Sequence, residues 1–213
     1  MKKPIILTIR VLALFGFVFA LSTCKNEPCL DLAKLESLRQ EMVRWYPDTT
    51  QTRFIIVDRH GISQSMTLSY YYFQTENTVE DDCGNKYGSY DLSLNYRTSV
   101  SPLNFTVNIR GSGNSADGFY ISVNYYKYLG NWVSRTADYD LETNQSRNSD
   151  VEINRIMYDN LFGDALEVIF KNSVYPTDIE KIYFAQHFGL ISFSDKQGNI
   201  FMCSPIQSQQ ENE

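Results

Sequence analysis

The chain has 213 residues, 19 of them basic and 25 acidic, for a formal net charge of −6. An acidic chain with so few Lys and Arg is a poor match to a phosphate backbone, so no nucleic-acid partner is expected. Aromatic residues make up 14%, with 15 Tyr and 13 Phe against 2 Trp, and Tyr and Phe favour strands.

Met1-Lys2-Lys3 carries the charge of a secretory n-region, and Val11 to Leu21 contains no charged residue. That run suits the core of a signal peptide and is too short to span a bilayer as a helix. Leu21-Ser22-Thr23-Cys24 follows. This resembles the lipobox of bacterial lipoproteins, with Thr23 where Gly, Ala or Ser is usual. The resemblance implies cleavage before Cys24, a diacylglyceryl group on its thiol and a third acyl chain on the new amine. Each buried methylene contributes roughly 0.8 kcal/mol and two lipid signals already anchor stably, so three chains would hold the protein with no segment crossing the membrane. The alternative is an ordinary signal peptide cut nearby, with Cys24 left unmodified. Cys24-Lys25-Asn26-Glu27 is similar to the Lys-plus-acidic tag of Bacteroidetes surface lipoproteins, which implies an outer-membrane lipoprotein with a lean toward surface exposure. Residues 1–23 hold three basic residues and no acidic ones; without them 16 basic residues face 25 acidic ones, a formal charge of −9. Repulsion from anionic headgroups suits a body on a tether. The expected organisation is a signal peptide over 1–23, a tether over 24–30, one β-rich domain over 31–206 and a polar tail over 207–213.

One helix is legible. Asp31 can cap it, and Leu32, Leu35, Leu38, Met42 and Trp45 make an apolar stripe before Pro47 ends the element. The mixed charges of Lys34, Glu36, Arg39 and Glu41 favour a helix lying on a sheet over a membrane-surface helix, which would be basic. Asp48-Thr49-Thr50 resembles the O-glycosylation triplet of Bacteroidetes envelope proteins.

The remainder has a period of two. Phe54–Val57 is a short strand closed by the turn Asp58-Arg59-His60-Gly61, and Ile62, Met66, Leu68, Tyr70 and Tyr72 share one face of the next. Gln74 to Asn85 reads as a polar loop. Alternation returns at Tyr90–Arg97 and Asn104–Arg110, a flexible connector spans Gly111–Gly118, and Phe119–Tyr125 follows. Gly130-Asn131 turns the chain into Trp132-Val133, and Asp140–Asp150 reads as a long loop. Further strands fall at Val151–Ile156, Ala165–Phe170, Ile179–Gln186, Leu190–Phe193 and Asn199–Cys203, with Asp195-Lys196-Gln197-Gly198 as a hairpin turn. The expected fold is mainly β: an antiparallel meander forming a curved sheet or half-barrel, with the N-terminal helix packed on it.

The ending Lys181-Ile182-Tyr183-Phe184-Ala185 with Gly189-Leu190-Ile191 and Gly198-Asn199, preceded by Met157-Tyr158-Asp159-Asn160, resembles small uncharacterised Bacteroidetes lipoproteins. Asp82-Cys83-Gly84 followed by Tyr87 and Tyr90 resembles their earlier portion. That ending is also similar to one in half-barrels related in fold to lipoprotein carriers. The resemblance supports the curved sheet and carries no catalytic residue. Gly189, between two apolar strands, reads as a site of bulge or close backbone approach.

If Cys24 is acylated, Cys29, Cys83 and Cys203 remain; if it is free, four cysteines allow three connectivities. Cys203 shares strand parity with Phe201, as a buried thiol would, and a Cys29–Cys83 bridge, pinning the helix to the sheet, is preferred. No Cys/His spacing suggests a metal. The acidic run Glu80-Asp81-Asp82 lacks calcium-loop spacing, and Gly111 to Gly113 lacks the helix a nucleotide fingerprint needs. His60 falls in a turn and His187 at a strand end, and no Gly-x-Ser-x-Gly elbow accompanies them. No cofactor and no catalysis are therefore expected. Tyrosines at Tyr70–Tyr72 and Tyr125-Tyr126 put rings on both strand faces; sheet packing accounts for most of them, and Tyr71, Phe73, Tyr120 and Tyr126 form the candidate ligand surface. The function expected is a non-catalytic, lipid-anchored envelope module that binds an apolar or glycan ligand. The alternatives are a structural partner of an outer-membrane complex and, behind it, a hydrolase on dispersed Asp, Glu and Ser.

Overall fold

The computed structural model describes residues 29, 31–80, 83–84, 86–99, 103–112, 118–128, 130–172 and 175–206. The expected signal peptide, Cys24, Asp81, Asp82 and the tail over 207–213 lie outside them. Helix α1 (Leu32–Arg44) precedes twelve strands: β1 (Arg53–Asp58), β2 (Ser63–Glu80), β3 (Lys86–Thr98), β4 (Leu103–Ser112), β5 (Phe119–Tyr128), β6 (Trp132–Asp140), β7 (Gln145–Ser146), β8 (Val151–Met157), β9 (Asp164–Phe170), β10 (Ile179–Ala185), β11 (Gly189–Asp195) and β12 (Ile200–Pro205). All belong to one antiparallel sheet in the order β7-β6-β5-β4-β3-β2-β1-β12-β11-β10-β9-β8. Every neighbour pair is consecutive in sequence except β1 and β12, which join the two ends of the domain in the register Ile56↔Cys203. The free edges, β7 and β8, are consecutive in the chain, so the sheet curls into a nearly closed barrel with its seam there.

Alternation decides what points inward. Leu103, Phe105, Val107 and Ile109 of β4 and Phe119, Ile121, Val123 and Tyr125 of β5 are all buried. The barrel is flattened, so rings from opposite walls touch. Phe105 meets Phe193 of β11 with centroids 4.8 Å apart, and Tyr125 meets Phe170 of β9 at 5.1 Å. Outside, β2 to β6 present rows such as Asn95, Thr106, Asn124 and Thr136. An apolar interior under a polar outer face is the reverse of a membrane-spanning barrel. Among the described residues, no helix is long and apolar enough to cross a membrane.

Helix α1 closes one end. The Asp31 carboxylate accepts from Ala33 N and Lys34 N at 3.0 and 3.1 Å, a regular N-cap. Met42 and Trp45 are fully buried, whereas Leu32, first of the expected stripe, stays exposed. Trp45 stacks on Phe184 of β10, and Arg155 of β8 bonds Glu41 at 2.8 Å while lying over the Trp45 ring. Three loop expectations need correction. β2 continues to Glu80 instead of ending at Phe73: backbone pairing (Val79↔Tyr87, Glu80↔Lys86) needs no apolar face, and a register shift after Thr75 absorbs the irregularity. Gln145-Ser146 adds a short strand to β6 inside the expected long loop. Gly111 is a strand residue beneath the helix, not a connector. A Cβ there would stand 2.5 Å from the Phe119 ring and 2.9 Å from Met42 Sδ.

The loop from β9 to β10 closes the other end. Its Asp178 carboxylate is buried and accepts from Tyr125 Oη at 2.6 Å and Ile179 N at 3.0 Å, with Arg135 Nε at 3.8 Å. Burial first, and then that bond to Asp178, push the Tyr125 hydroxyl well above its ordinary range. Lys127 Nζ donates to Thr177 O and Arg135 to Asn172 O, so β5 and β6 are tied to the opposite wall. Cys203 is a buried free thiol, pushed up to about 12 by burial. Cys29 and Cys83 are joined as a disulfide, Cα atoms 5.8 Å apart, linking the segment before α1 to the β2–β3 hairpin.

Gly189 has φ +82°, and a Cβ on it would stand 2.3 Å from Tyr96 Oη and 3.2 Å from Pro47 Cβ. Gly198 has φ +77° with nothing within 4 Å. Both alanine variants carry left-handed strain, but only Gly189→Ala adds a clash, which costs about 1–3 kcal/mol. Urea denaturation should therefore place Gly189→Ala below Gly198→Ala by about that amount; equal midpoints would contradict the close approach.

Candidate functional site

The strongest candidate is on the outer face of the C-terminal strands. β11 is buried along its whole length, and the turn after β8 covers its outer side at Ile191 and Ser192. Asp159 Oδ1 shapes that turn by accepting from Leu161 N at 2.9 Å and Phe162 N at 2.7 Å. The turn lays Tyr158 and Phe162 on a small apolar patch of Ala165, Ala185 and Ile191. Beside the patch opens a cleft of roughly 290 Å³, lined by Tyr158, Lys181, Tyr183, Ser192, Phe193, Ser194, Gly198 and Ile200. The Tyr158 and Tyr183 rings meet edge to face at 5.1 Å, and the Tyr158 and Ser192 hydroxyls are 3.1 Å apart.

Behind these rings is Glu167 of β9. Its carboxylate accepts from Tyr183 Oη at 2.8 Å, from Lys181 Nζ at 3.4 Å and from Asn154 Nδ2 at 3.4 Å. Burial alone would raise this carboxyl; the bonds from Tyr183 and Asn154 and the Lys181 charge outweigh it and hold the group below its ordinary value. Burial and then the bond to Glu167 push the Tyr183 hydroxyl upward. A carboxylate fixed in its charged form orients its donors and is a poor proton donor near neutral pH. The cleft thus offers ring surface, hydroxyls and one ammonium, a set suited to holding polar groups.

The tyrosines expected to form a ligand surface do not come together. Tyr71 and Phe73 are exposed on the outer face of β2 and stack at 6.5 Å. Tyr120 lies three strands away on β5, beneath Arg147 at 4.8 Å and with Arg110 Nη1 donating to its hydroxyl at 3.4 Å. Tyr126 is six residues along β5 from Tyr120, near the opposite end of the barrel. Periodicity places all four on one face but does not show their separation across it. Sequence patterning misses the cleft because most of its lining is ordinary strand residues; Lys181, Tyr183, Ser192 and Ser194 are aligned by the β10–β11 register, with Tyr183↔Ser192 and Lys181↔Ser194.

His60 is exposed in the β1–β2 turn and accepts from Arg59 Nε at 3.2 Å. His187 is exposed in the β10–β11 turn at φ 63°; its N–H donates to Arg44 O and its carbonyl accepts from Asp48 N. Thr50, of the Asp48-Thr49-Thr50 triplet, donates its hydroxyl to Asp48 Oδ1 at 2.7 Å. No group of three or more metal-ligating side chains occurs among the described residues. Comparison with known proteins finds no matching family model, no matching curated protein and no matching solved structure.

Because the Glu167 carboxyl is lowered in the folded state, its contribution to stability is present above 4.5, its ordinary value, and is lost as pH falls through the lower folded value. Acid unfolding curves should show wild type losing stability more steeply than Glu167→Gln below that pH. Parallel curves would mean that the carboxylate is not held as described.

Proposed function

We propose that this protein is a non-catalytic, lipid-anchored binding module of the cell envelope, and that its cleft takes a small hydroxyl-rich ligand such as a sugar unit. The cleft lining carries the reading. Tyrosine rings offer faces for the C–H surface of a sugar, while Lys181 and Ser194 offer hydrogen bonds at fixed positions. Of the two ligand classes expected from sequence, apolar and glycan, this mixture favours the second. An apolar ligand would suit a cavity inside the barrel, and there the buried rings of opposite walls are already in contact.

Binding is favoured over turnover by the state of Glu167. A hydrolase of sugars needs one carboxyl kept protonated and a second within several ångströms, whereas Glu167 is held charged by three donors. The envelope location is supported by the charged n-region, the uncharged run and the Leu21–Cys24 site, and a Cys29–Cys83 disulfide suits an oxidising compartment.

Printed arrays of bacterial and host oligosaccharides, probed with the purified mature protein, test the ligand class. At least one oligosaccharide should bind, and Lys181→Ala should weaken it about tenfold or more, as expected for a lost charged hydrogen bond of about 1.5–3 kcal/mol. Oligosaccharide binding unaffected by Lys181→Ala and Ser194→Ala, or none at all, would sink the cleft assignment.

A further inference from the structure

Both ends of the barrel expose apolar side chains, Ile62, Tyr128, Trp132, Tyr175 and Ile200 at the end away from α1, but the helix-closed end is also where the chain enters. Around α1, four separate parts of the chain expose apolar side chains: Val43 on the helix, Tyr71 and Phe73 on β2, Met157 at the end of β8 with Leu161 in the turn after it, and Phe188 in the β10–β11 turn. Met157 and Leu161 are each 70% exposed. That these elements share one end follows from their contacts with the helix and the residue just after it. Tyr46 meets Tyr72 edge to face at 6.0 Å, Arg155 near the end of β8 bonds Glu41, and His187 N–H donates to Arg44 O. Exposed apolar residues are ordinary, so the rim alone names no partner.

The attachment of the chain says what such a rim meets. Cys29 lies just before the cap of α1 and is tied to Cys83 in the β2–β3 hairpin, so chain entry is fixed at this same end. Four residues lie between Cys24 and Cys29, and the five chain steps joining them span at most about 18 Å when fully extended. Without the disulfide, the hairpin could swing away from the entry point; with it, both are held together. We propose that the helix-closed end seats on the bilayer that holds the acyl chains, its apolar rim in the interfacial layer and the opposite end of the barrel directed away. Tyr and Phe suit that layer because their rings have apolar bodies and, for Tyr, a polar tip. This inference rests on the lipid-anchor reading and adds an orientation to it.

The test uses the native protein, reconstituted into phosphatidylethanolamine–phosphatidylglycerol vesicles that carry a lipid with a diazirine near the top of its acyl chain. After photolysis, peptide mass spectrometry reads two things independently: the mass of the Cys24 peptide and the positions of lipid adducts. Acylated Cys24, with adducts on the peptides holding Tyr71–Phe73 and Met157–Leu161 and none at Tyr128–Trp132, supports the proposal. Acylated Cys24 with adducts confined to the tether, or with adducts at Tyr128–Trp132, overturns the orientation while leaving the anchor intact. An unmodified Cys24 peptide overturns the anchor reading; adducts on the rim peptides would then still support the surface, and their absence would overturn it too. Tyr71→Ser with Leu161→Ser, both at exposed positions, should keep the fold and lose most rim adducts. Undiminished labelling in that variant would also count against the proposal.

Discussion

The antiparallel pairing of β1 with β12 is the constraint on which the rest of this molecule depends. Every other strand pair joins neighbours in the chain and could form as a local hairpin or meander. β1 and β12 come from opposite ends of the domain, with Phe54 opposite Pro205 and Asp58 opposite Phe201. Their union turns two meanders into one sheet and lets that sheet curl until inward rings from opposite walls meet. Such a contact forms only after the cost of closing a very long loop has been met, so it rewards the fold late. Two end closures then depend on it: α1 inserts Met42 and Trp45 at one mouth, and Asp178 ties the β9–β10 loop to Tyr125 and Arg135 at the other.

Much of this architecture is readable in the residues. The helix follows from the Asp31 cap and the spacing of Leu35, Leu38, Met42 and Trp45, and strands such as β4 and β5 follow from strict alternation that has a buried face to serve. What escapes such reading is structure that does not depend on an apolar face. The far part of β2 is held by backbone pairing to β3, so its polar residues resemble a loop. Gly111 looks like the start of a flexible connector because its role comes from Met42 and Phe119, neither adjacent to it in sequence. Gly189 is legible as a close-approach position from its place between apolar strands, although its neighbours Tyr96 and Pro47 are not. The curled β1–β12 closure has no local signal at all.

The same division applies to the site. Tyr71, Phe73, Tyr120 and Tyr126 stand out by side-chain type and strand parity, and parity cannot give distance across a four-strand span. Ser192 and Ser194 carry no motif, and the run Lys181–Ala185 names no site by its pattern; these residues become a cleft, backed by Glu167, because a bulged β10–β11 register and the turn after β8 bring them together. The protein thus presents three unlike surfaces: a mostly polar outer wall on β3 to β6, a ring-and-hydroxyl cleft on β10 and β11, and an apolar rim at the end where the chain enters. Each fits a different neighbour, namely water, a hydroxyl-rich ligand and a bilayer interface.

Native-state hydrogen exchange across a denaturant series addresses the chain-end pairing most directly. If β1 and β12 bind the two meanders into one cooperative unit, slow amides in β4 and β5 and in β9 to β11 should converge on a single opening free energy with one denaturant dependence. If β8 to β12 opened at a distinctly lower free energy while β2 to β6 stayed protected, the molecule would be two abutting sheets, and the β1–β12 pairing would not be what holds it together.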